Sequence, residues 1–350
     1  VHTESGTVSR AVTDANGRYN ARGLRVGGPY KVTANKEGAG TQTESDIYLA
    51  LDQTSQIDIS IGSAELDAIR VTGTAGPQIF SSDKMGAGTA ISRAELDTYA
   101  SVQRNLQDYV RFDPRLSQTD KERGEISAGG QNVRFNSITI DGVTTNDTFG
   151  LEANNLPTLK QPISIDAIQS VQVNISNYDV TQKGYTGANI NAVTKSGTND
   201  FKGSVYYIYR DDRGAGRRFN RTTGAYFDAP EFEEDTKGFT FGGPLLKDRL
   251  FFFAAYEELT STRSTPEFGP LGSARTNVAI TQSAITGAQN IASTNYSVDI
   301  GSTEASGAEL EVTDALLKLD ANIGERHRAS LRWSKTEQSD PIYPTFFNNA

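Results

Sequence analysis

Leu317-Lys318-Leu319-Asp320-Ala321-Asn322 and Ala329-Ser330-Leu331-Arg332-Trp333-Ser334 decide how the rest of this sequence is read. In both, apolar and polar side chains alternate without a break. That is the period of a β-strand, so each segment has one apolar row and one polar or ionic row. An ordinary antiparallel sheet buries the apolar row and wets the other. A transmembrane barrel turns the apolar row to lipid and the polar row to an aqueous bore. Alternation alone fits both, and the links between strands separate them. Strand-like stretches recur at about 201–210, 237–243, 249–259, 312–322 and 328–337, joined by links of about 26, 5, 52 and 5 residues. Long and short links alternate, as they do where outer loops are long and periplasmic turns are tight. A 52-residue connection is out of place in a soluble sandwich. Aromatics at Tyr206, Tyr207, Tyr209, Phe251, Phe252, Phe253 and Tyr256 crowd the strand ends, where an interfacial girdle would place them.

Composition agrees with a turn-rich β protein: 350 residues carry 33 glycines, 14 tyrosines and 16 phenylalanines against one tryptophan and one methionine. There is no cysteine, which excludes disulfides and thiolate metal sites. The net charge of -9 argues against nucleic acid as a partner, since phosphate binding needs a basic surface. The longest apolar run, Leu250 to Tyr256, falls far short of the roughly 20 residues of a membrane-spanning helix. That leaves barrels open. No basic, apolar leader precedes Val1, and the chain stops without punctuation at Ala350, so both ends read as cut from something longer.

Catalysis finds no support. His2 and His327 are far apart, and no HExxH, GxSxG or dinucleotide fingerprint occurs, so no catalytic residue and no cofactor is expected. The acidic run Glu231, Glu233, Glu234 and Asp235 lacks a calcium-loop motif and reads, like the basic stretch Arg213 to Arg221, as a solvated outer loop rather than a metal site.

Upstream of the strands, the chain divides by pattern. Residues 1–62 read as a small β-sandwich: a turn at Asp14-Ala15-Asn16-Gly17, an alternating Tyr30-Lys31-Val32-Thr33-Ala34, then period-two rows Ile47, Leu49, Leu51 and Ile57, Ile59, Ile61. Residues 63–90 are linker-like around a β-prone island, Leu66 to Thr72. Residues 91–199 form an α+β unit. Ser92 with Glu95 makes a capping box, and a second helix is expected from Ser101 through Leu106, Tyr109 and Val110, ending before Pro114. Strands follow at Val133 to Ile140, Ser170 to Ile175 and Ala188 to Thr194, with a turn at Asp141-Gly142 and a short helical turn at Ile165 to Ile168. Lys195-Ser196-Gly197-Thr198-Asn199 lacks the spaced glycines and following helix of a phosphate loop and reads as a corner. Residues 200–350 hold the first strands of the barrel, too few to close it.

Several motifs carry a resemblance. Asp14, Gly17, Tyr19, Leu24, Gly27 and Tyr30 are similar to the carboxypeptidase regulatory-like domain. Asn105-Leu106-Gln107-Asp108 with Pro114, then Gly129 through Asp141-Gly142-Val143, then Thr186 through Asn199, then Gly242 through Phe253, resemble in order the plug and early barrel of TonB-dependent receptors, in particular the Oar-like group. The resemblance implies a mainly β chain: an accessory β-sandwich, an α+β plug, and the opening strands of a large antiparallel transmembrane barrel, incomplete here. It implies residence in the outer membrane, with accessory domain and plug facing the periplasm, and active import of a bulky solute such as a peptide or glycan. The implied partners are TonB with its inner-membrane energising complex, outer-membrane lipid and an unidentified solute. Ala68, Ile69, Arg70, Val71 and Thr72 are similar to the TonB box, an extended segment that pairs with a sheet edge of the partner. Arg70 departs from the β-branched residue usual there. Arg123, Gln131 and Asp147 are the candidate solute contacts at the plug apex. The alternative from another class is a soluble or surface-attached β-sandwich adhesion module.

Overall fold

The computed structural model describes residues 1–49, 55–61, 86–99, 101, 103–120, 124–150, 152–177, 183–229, 231–263, 268–273, 276–301, 308–324 and 327–340. They form two compact units, one of residues 1–205, 238–257 and 314–336, the other of 206–237, 258–313 and 337–350.

The N-terminal segment is built on an antiparallel pair, β1 (Gly27–Lys36) and β2 (Gly40–Leu49). Tyr30 is buried and its neighbours alternate as the sequence predicts. His2 bridges both Tyr30 and Thr7, folding residues 1–7 back against β1. The Asp14 turn is an Asx turn: its carboxylate accepts from the amides of Asn16 (2.9 Å) and Arg18 (2.8 Å). Residues 55–61 keep the expected period, with Ile57, Ile59 and Ile61 half-buried between exposed neighbours. They form no regular strand; the hydroxyl of Tyr19 donates to the Ile57 carbonyl at 2.9 Å.

The α+β unit starts at β3 (Gly86–Ile91). Its first helix, α1 (Arg93–Thr98), has the full capping box of Ser92 and Glu95. The second, α2 (Leu106–Val110), begins later than expected. Asn105 caps it, its side chain accepting from the Asp108 amide at 2.8 Å, while Ser101 donates to the Asp108 carboxylate instead. Asn is as good an N-cap as Ser, and the positive φ of Arg104 (51°) stops the helix extending backwards. A hairpin of β4 (Leu116–Asp120) and β5 (Glu125–Ala128) follows. Then come β6 (Ser137–Ile140), β7 (Val143–Thr144), β8 (Ile168–Asn177) and β9 (Asn189–Thr194). The sheet runs in the order β3-β8-β9-β6-β7, with β6 and β9 parallel and the other pairs antiparallel. Val171, Val173 and Ile190 lie in its apolar core at 0% exposure. Each such side chain contributes about 1.5–3 kcal/mol by leaving water. The polar row of β8, Ser170, Gln172 and Asn174, is buried as well, so this sheet is covered on both faces.

The remaining strands are β10 (Lys202–Asp211), β11 (Arg218–Asn220), β12 (Ala225–Phe227), β13 (Phe232–Leu246), β14 (Leu250–Arg263), β15 (Phe268–Gly269), β16 (Thr276–Asn277), β17 (Ala308–Ile323) and β18 (His327–Ser339). Five make one sheet in the order β10-β13-β14-β17-β18, a meander that does not close. Four of them run 13 to 16 residues, against about 5–6 in ordinary domains. Short links at 247–249 and 324–326 alternate with long connections at 212–231 and 264–307. The longest connection contains a helix the sequence reading did not anticipate, α3 (Gln282–Tyr296), capped by Thr281 and closed by Ser297 in the left-handed region.

From Leu317 onward side-chain direction is inverted relative to a soluble sheet, whereas the start of β17 buries Leu310 and Val312 and exposes Glu309 and Glu311. In β17, Lys318 (8%) and Asp320 (7%) are buried while Leu317 (42%) is exposed; in β18, Leu331 (68%) and Trp333 (54%) are exposed. Hydrophobic burial in water drives the opposite arrangement, whereas lipid outside and a polar filling inside require this one. One expectation is corrected. Phe251 and Phe253 do not stand in an outer girdle; both are buried on the inner face, and Phe253 joins the plug's apolar cluster. A strand cannot turn three consecutive side chains one way. Of the three only Phe252 takes the outer side, where it meets Phe201 and Phe241.

Candidate functional site

The joint between the plug and the barrel wall concentrates the polar chemistry. Asp141 and Gly142 form the two-residue turn between β6 and β7, with φ of 49° and 79°, the signature of a type I′ hairpin. The turn is structural, as the sequence suggests, but the aspartate does more. Its Oδ1 accepts from the Thr194 amide at 2.8 Å, tying β6 to the end of β9, and its Oδ2 accepts from the Thr194 hydroxyl at 2.7 Å. The same Oδ2 accepts from Arg332 Nη1 of β18 at 3.1 Å, and Lys318 Nζ of β17 stands 4.0 Å away. Lys318 donates to the Thr194 hydroxyl (3.0 Å), and Arg332 also donates to the Ile140 carbonyl (2.8 Å). Two wall cations thus close on one plug carboxylate. All three side chains are at most 21% exposed.

A second joint has the opposite sign. Arg104 of the plug pairs with Asp166 and lies 3.7 Å from Glu257 of β14. Ser164 donates to the Glu257 carboxylate at 2.8 Å. Arg93 supports the loop by donating to the carbonyls of Ile165 and Ile168, both at 2.9 Å. On β18, the Thr336 hydroxyl donates to Asp314 (2.6 Å) and stands 3.4 Å from the Pro162 carbonyl. Residues 162–166 are therefore held against β14 and β18.

The plug continues into the wall through Lys195–Asn199. Lys195 is half-buried, and desolvation first, then the charge of Arg93, pushes its ammonium down to about 8. A Cβ on Gly197 would lie 2.2 Å from the Phe252 carbonyl and 2.8 Å from that of Gly243, so this corner is pressed onto β13 and β14. The expected corner is confirmed in its geometry.

The predicted site residues fare unequally. Ala68, Ile69, Arg70, Val71 and Thr72 lie outside the described residues, as does Arg123. Gln131 is exposed and accepts from the Thr186 hydroxyl at 3.2 Å. Both oxygens of Asp147 accept backbone amides of its own loop, those of Phe149, Gly150 and Glu152. Asp147 therefore orders its own loop. Phe149, 86% exposed, and Phe135, 53% exposed, stand beside these loops and were not singled out by the sequence. Arg134 donates to the Gly150 carbonyl at 2.7 Å, which joins the two loops. Both flank the starts of β6 and β9, opposite the end that leads into the corner. The signal was present as aromatics in turns, but nothing in the sequence says that a turn faces outward. Among the described residues no cluster suited to a metal ion occurs.

Comparison with known proteins agrees with this arrangement. Residues 193–298 match the family model described as an outer membrane beta barrel domain, and residues 1–62 match the carboxypeptidase regulatory-like domain. Over 256 residues the chain is 29% identical to the TonB-dependent transporter Oar of Myxococcus xanthus, covering 70% of this chain and 23% of that protein. Among solved structures, the fold is similar to that of the outer membrane transporter YddB from Escherichia coli, with a TM-score of 0.52 at 14% identity, over 72% of this chain and 33% of that one.

Proposed function

We propose, from its likeness to the TonB-dependent transporter Oar and to the two matched domain families, that this chain belongs to the TonB-dependent outer-membrane receptors, in the Oar-like group, and is the gated entry portion of an active importer. Its setting is the outer membrane of a Gram-negative cell. Residues 1–62 are the accessory domain, 63–90 the linker with the TonB-binding strand, 91–199 the plug, and 200–350 the opening strands of a barrel of about 22 strands. The observation that carries this reading is the inverted sheet: charged Lys318 and Asp320 turned inward while Leu317, Leu331 and Trp333 face out. A soluble adhesion module would have the reverse polarity.

TonB would pair with Ala68–Thr72 by strand addition and draw energy into the plug. The cargo is a bulky solute, peptide or glycan in class, met by Gln131, by the loop that Asp147 orders and by Arg123, with Phe135 and Phe149 offering apolar contact. No enzymatic step is required. The test is Val71→Pro in the full-length protein, which removes a ladder donor from the docking strand. TonB capture and solute uptake are expected to vanish while the folded barrel keeps its heat-modifiable gel mobility. Undiminished uptake would remove Ala68–Thr72 from the mechanism.

A further inference from the structure

Residues 1–7 end in an unusually close fit. Gly6 has a φ of +61°, and a Cβ there would lie 1.9 Å from Asp248 Oδ1 in the tight turn between β13 and β14. Around that contact the accessory domain is bonded to the periplasmic rim of the sheet at several points. The Glu4 carbonyl accepts from the Asn199 amide at 2.7 Å, and its carboxylate pairs with Lys202 at the start of β10. Asn322, at the end of β17, donates to both the Thr7 hydroxyl (3.0 Å) and the Asp248 carbonyl (2.9 Å). Arg25 donates to the Gly197 carbonyl at 3.3 Å while its guanidinium covers the Phe251 ring, 5.2 Å from the centroid. Ser5, between these contacts, is fully buried.

Two of the gripped groups, Gly197 and Asn199, belong to the corner where the plug joins the wall. We infer that the face of the accessory domain formed by Glu4–Thr7 and Arg25 is a clasp on that corner, an intramolecular interface that must part before the plug's C-terminal end can move. The physical reason is local. The corner has no side-chain room of its own at Gly197, and its backbone carbonyl and amide are occupied by Arg25 and Glu4. Moving it breaks those bonds or carries the domain along.

Docking is tested without reference to transport. Full-length protein in isolated outer membranes is treated with a zero-length carbodiimide, and amide links are mapped by mass spectrometry. Glu4–Lys202 should link in the wild type, as should the control pair Lys237–Glu258, whose charges lie 2.7 Å apart. Gly6→Asn tolerates the left-handed backbone but puts a Cβ where the Asn199 side-chain amide holds the Asp248 carboxylate, so that carboxylate must swing away; it should lower the first link at least tenfold and leave the control unchanged. A wild type that yields only the control link, or an undiminished Glu4–Lys202 link in Gly6→Asn, overturns the interface. A second arm reads the gate. With Thr7→Cys and Asn322→Cys joined by a reducible thiol crosslinker, uptake should fall at least tenfold and recover on reduction. Full uptake in the joined state overturns the claim that the clasp must open. A wild type that imports nothing would instead refute the transport reading, leaving the crosslink result to stand on its own.

Discussion

Replacing Asp141 with Asn isolates the charge that joins plug to wall. Asn tolerates the positive φ of the turn, and its side-chain oxygen still accepts from the Thr194 amide, so the hairpin should survive. What disappears is the anion facing Arg332 at 3.1 Å and Lys318 at 4.0 Å. Two cations are left facing one another in a bore where their side chains are 16% and 10% exposed. A hydrogen bond to a charged group contributes about 1.5–3 kcal/mol, and breaking a buried pair costs about 3–5 kcal/mol. With some solvent access remaining, a loss of about 3 kcal/mol is expected, on the order of a hundredfold in an opening equilibrium. Hydrogen exchange at the amides of β6 and β9 in the full-length protein reads that equilibrium. A cycle with Arg332→Met should show coupling of at least about 1 kcal/mol. Exchange that accelerates less than threefold, together with additive single effects, would refute the latch.

Four other perturbations follow from the same geometry. Gly197→Val places atoms where the Phe252 and Gly243 carbonyls already stand, and should prevent assembly of the heat-modifiable barrel. Leu331→Arg puts a cation on the lipid face and should cost about 2–4 kcal/mol near the midplane; a soluble sheet would gain solubility from it instead. Ser92→Ala removes half of the capping box and should cost about 1 kcal/mol, seen as faster exchange confined to α1. Burial first, then the charge of Arg25, lowers His2 to about 4. Its contribution to the folded N-terminal segment should therefore be complete above the unfolded value near 6.5 and decline as pH falls toward 4, which a histidine ring titration by NMR would register.

What could be read in advance was local or periodic. The Ser92–Glu95 box, the Asp141-Gly142 turn, the Gly197 corner and the polarity of Leu317-Lys318 and Leu331-Arg332 are each set within a few residues, and each has the expected form. Phe251-Phe252-Phe253 could not be read, because three like residues carry no phase. The helix Gln282–Tyr296 has no buried residue, so no burial pattern announced it. The role of Asp141 was hidden for another reason. Its wall partners lie 191 residues (Arg332) and 177 residues (Lys318) downstream, and a turn signature accounts for the aspartate without them. The clasp was equally invisible, since Gly6 is an ordinary glycine until Asp248 is placed beside it.

The two kinds of packing in the plug suggest which joint yields under load. Within the plug, Val171, Val173, Ile190 and Ala192 are fully buried apolar groups, and separating them exposes surface at about 25 cal/mol per Å². Among the described residues of the wall, Phe253, Ala255 and Leu316 join that cluster, while Asp141, Arg332, Lys318, Arg104, Glu257 and Thr336 carry the polar contacts. Groups of that kind are rehydrated when they part, so each bond returns only about 0.5–3 kcal/mol of its stabilisation as a penalty. A wetted bore lowers the barrier further. The plug should therefore slip at its polar rim before its apolar sheet unravels. A plug with Arg332→Met, Lys318→Met and Asp141→Asn together, which puts apolar contact in place of the two cations and keeps the left-handed turn and its bond to the Thr194 amide, should hold more firmly and import more slowly than the wild type. Faster import by that triple variant would mean that the sheet, and not the rim, is what opens.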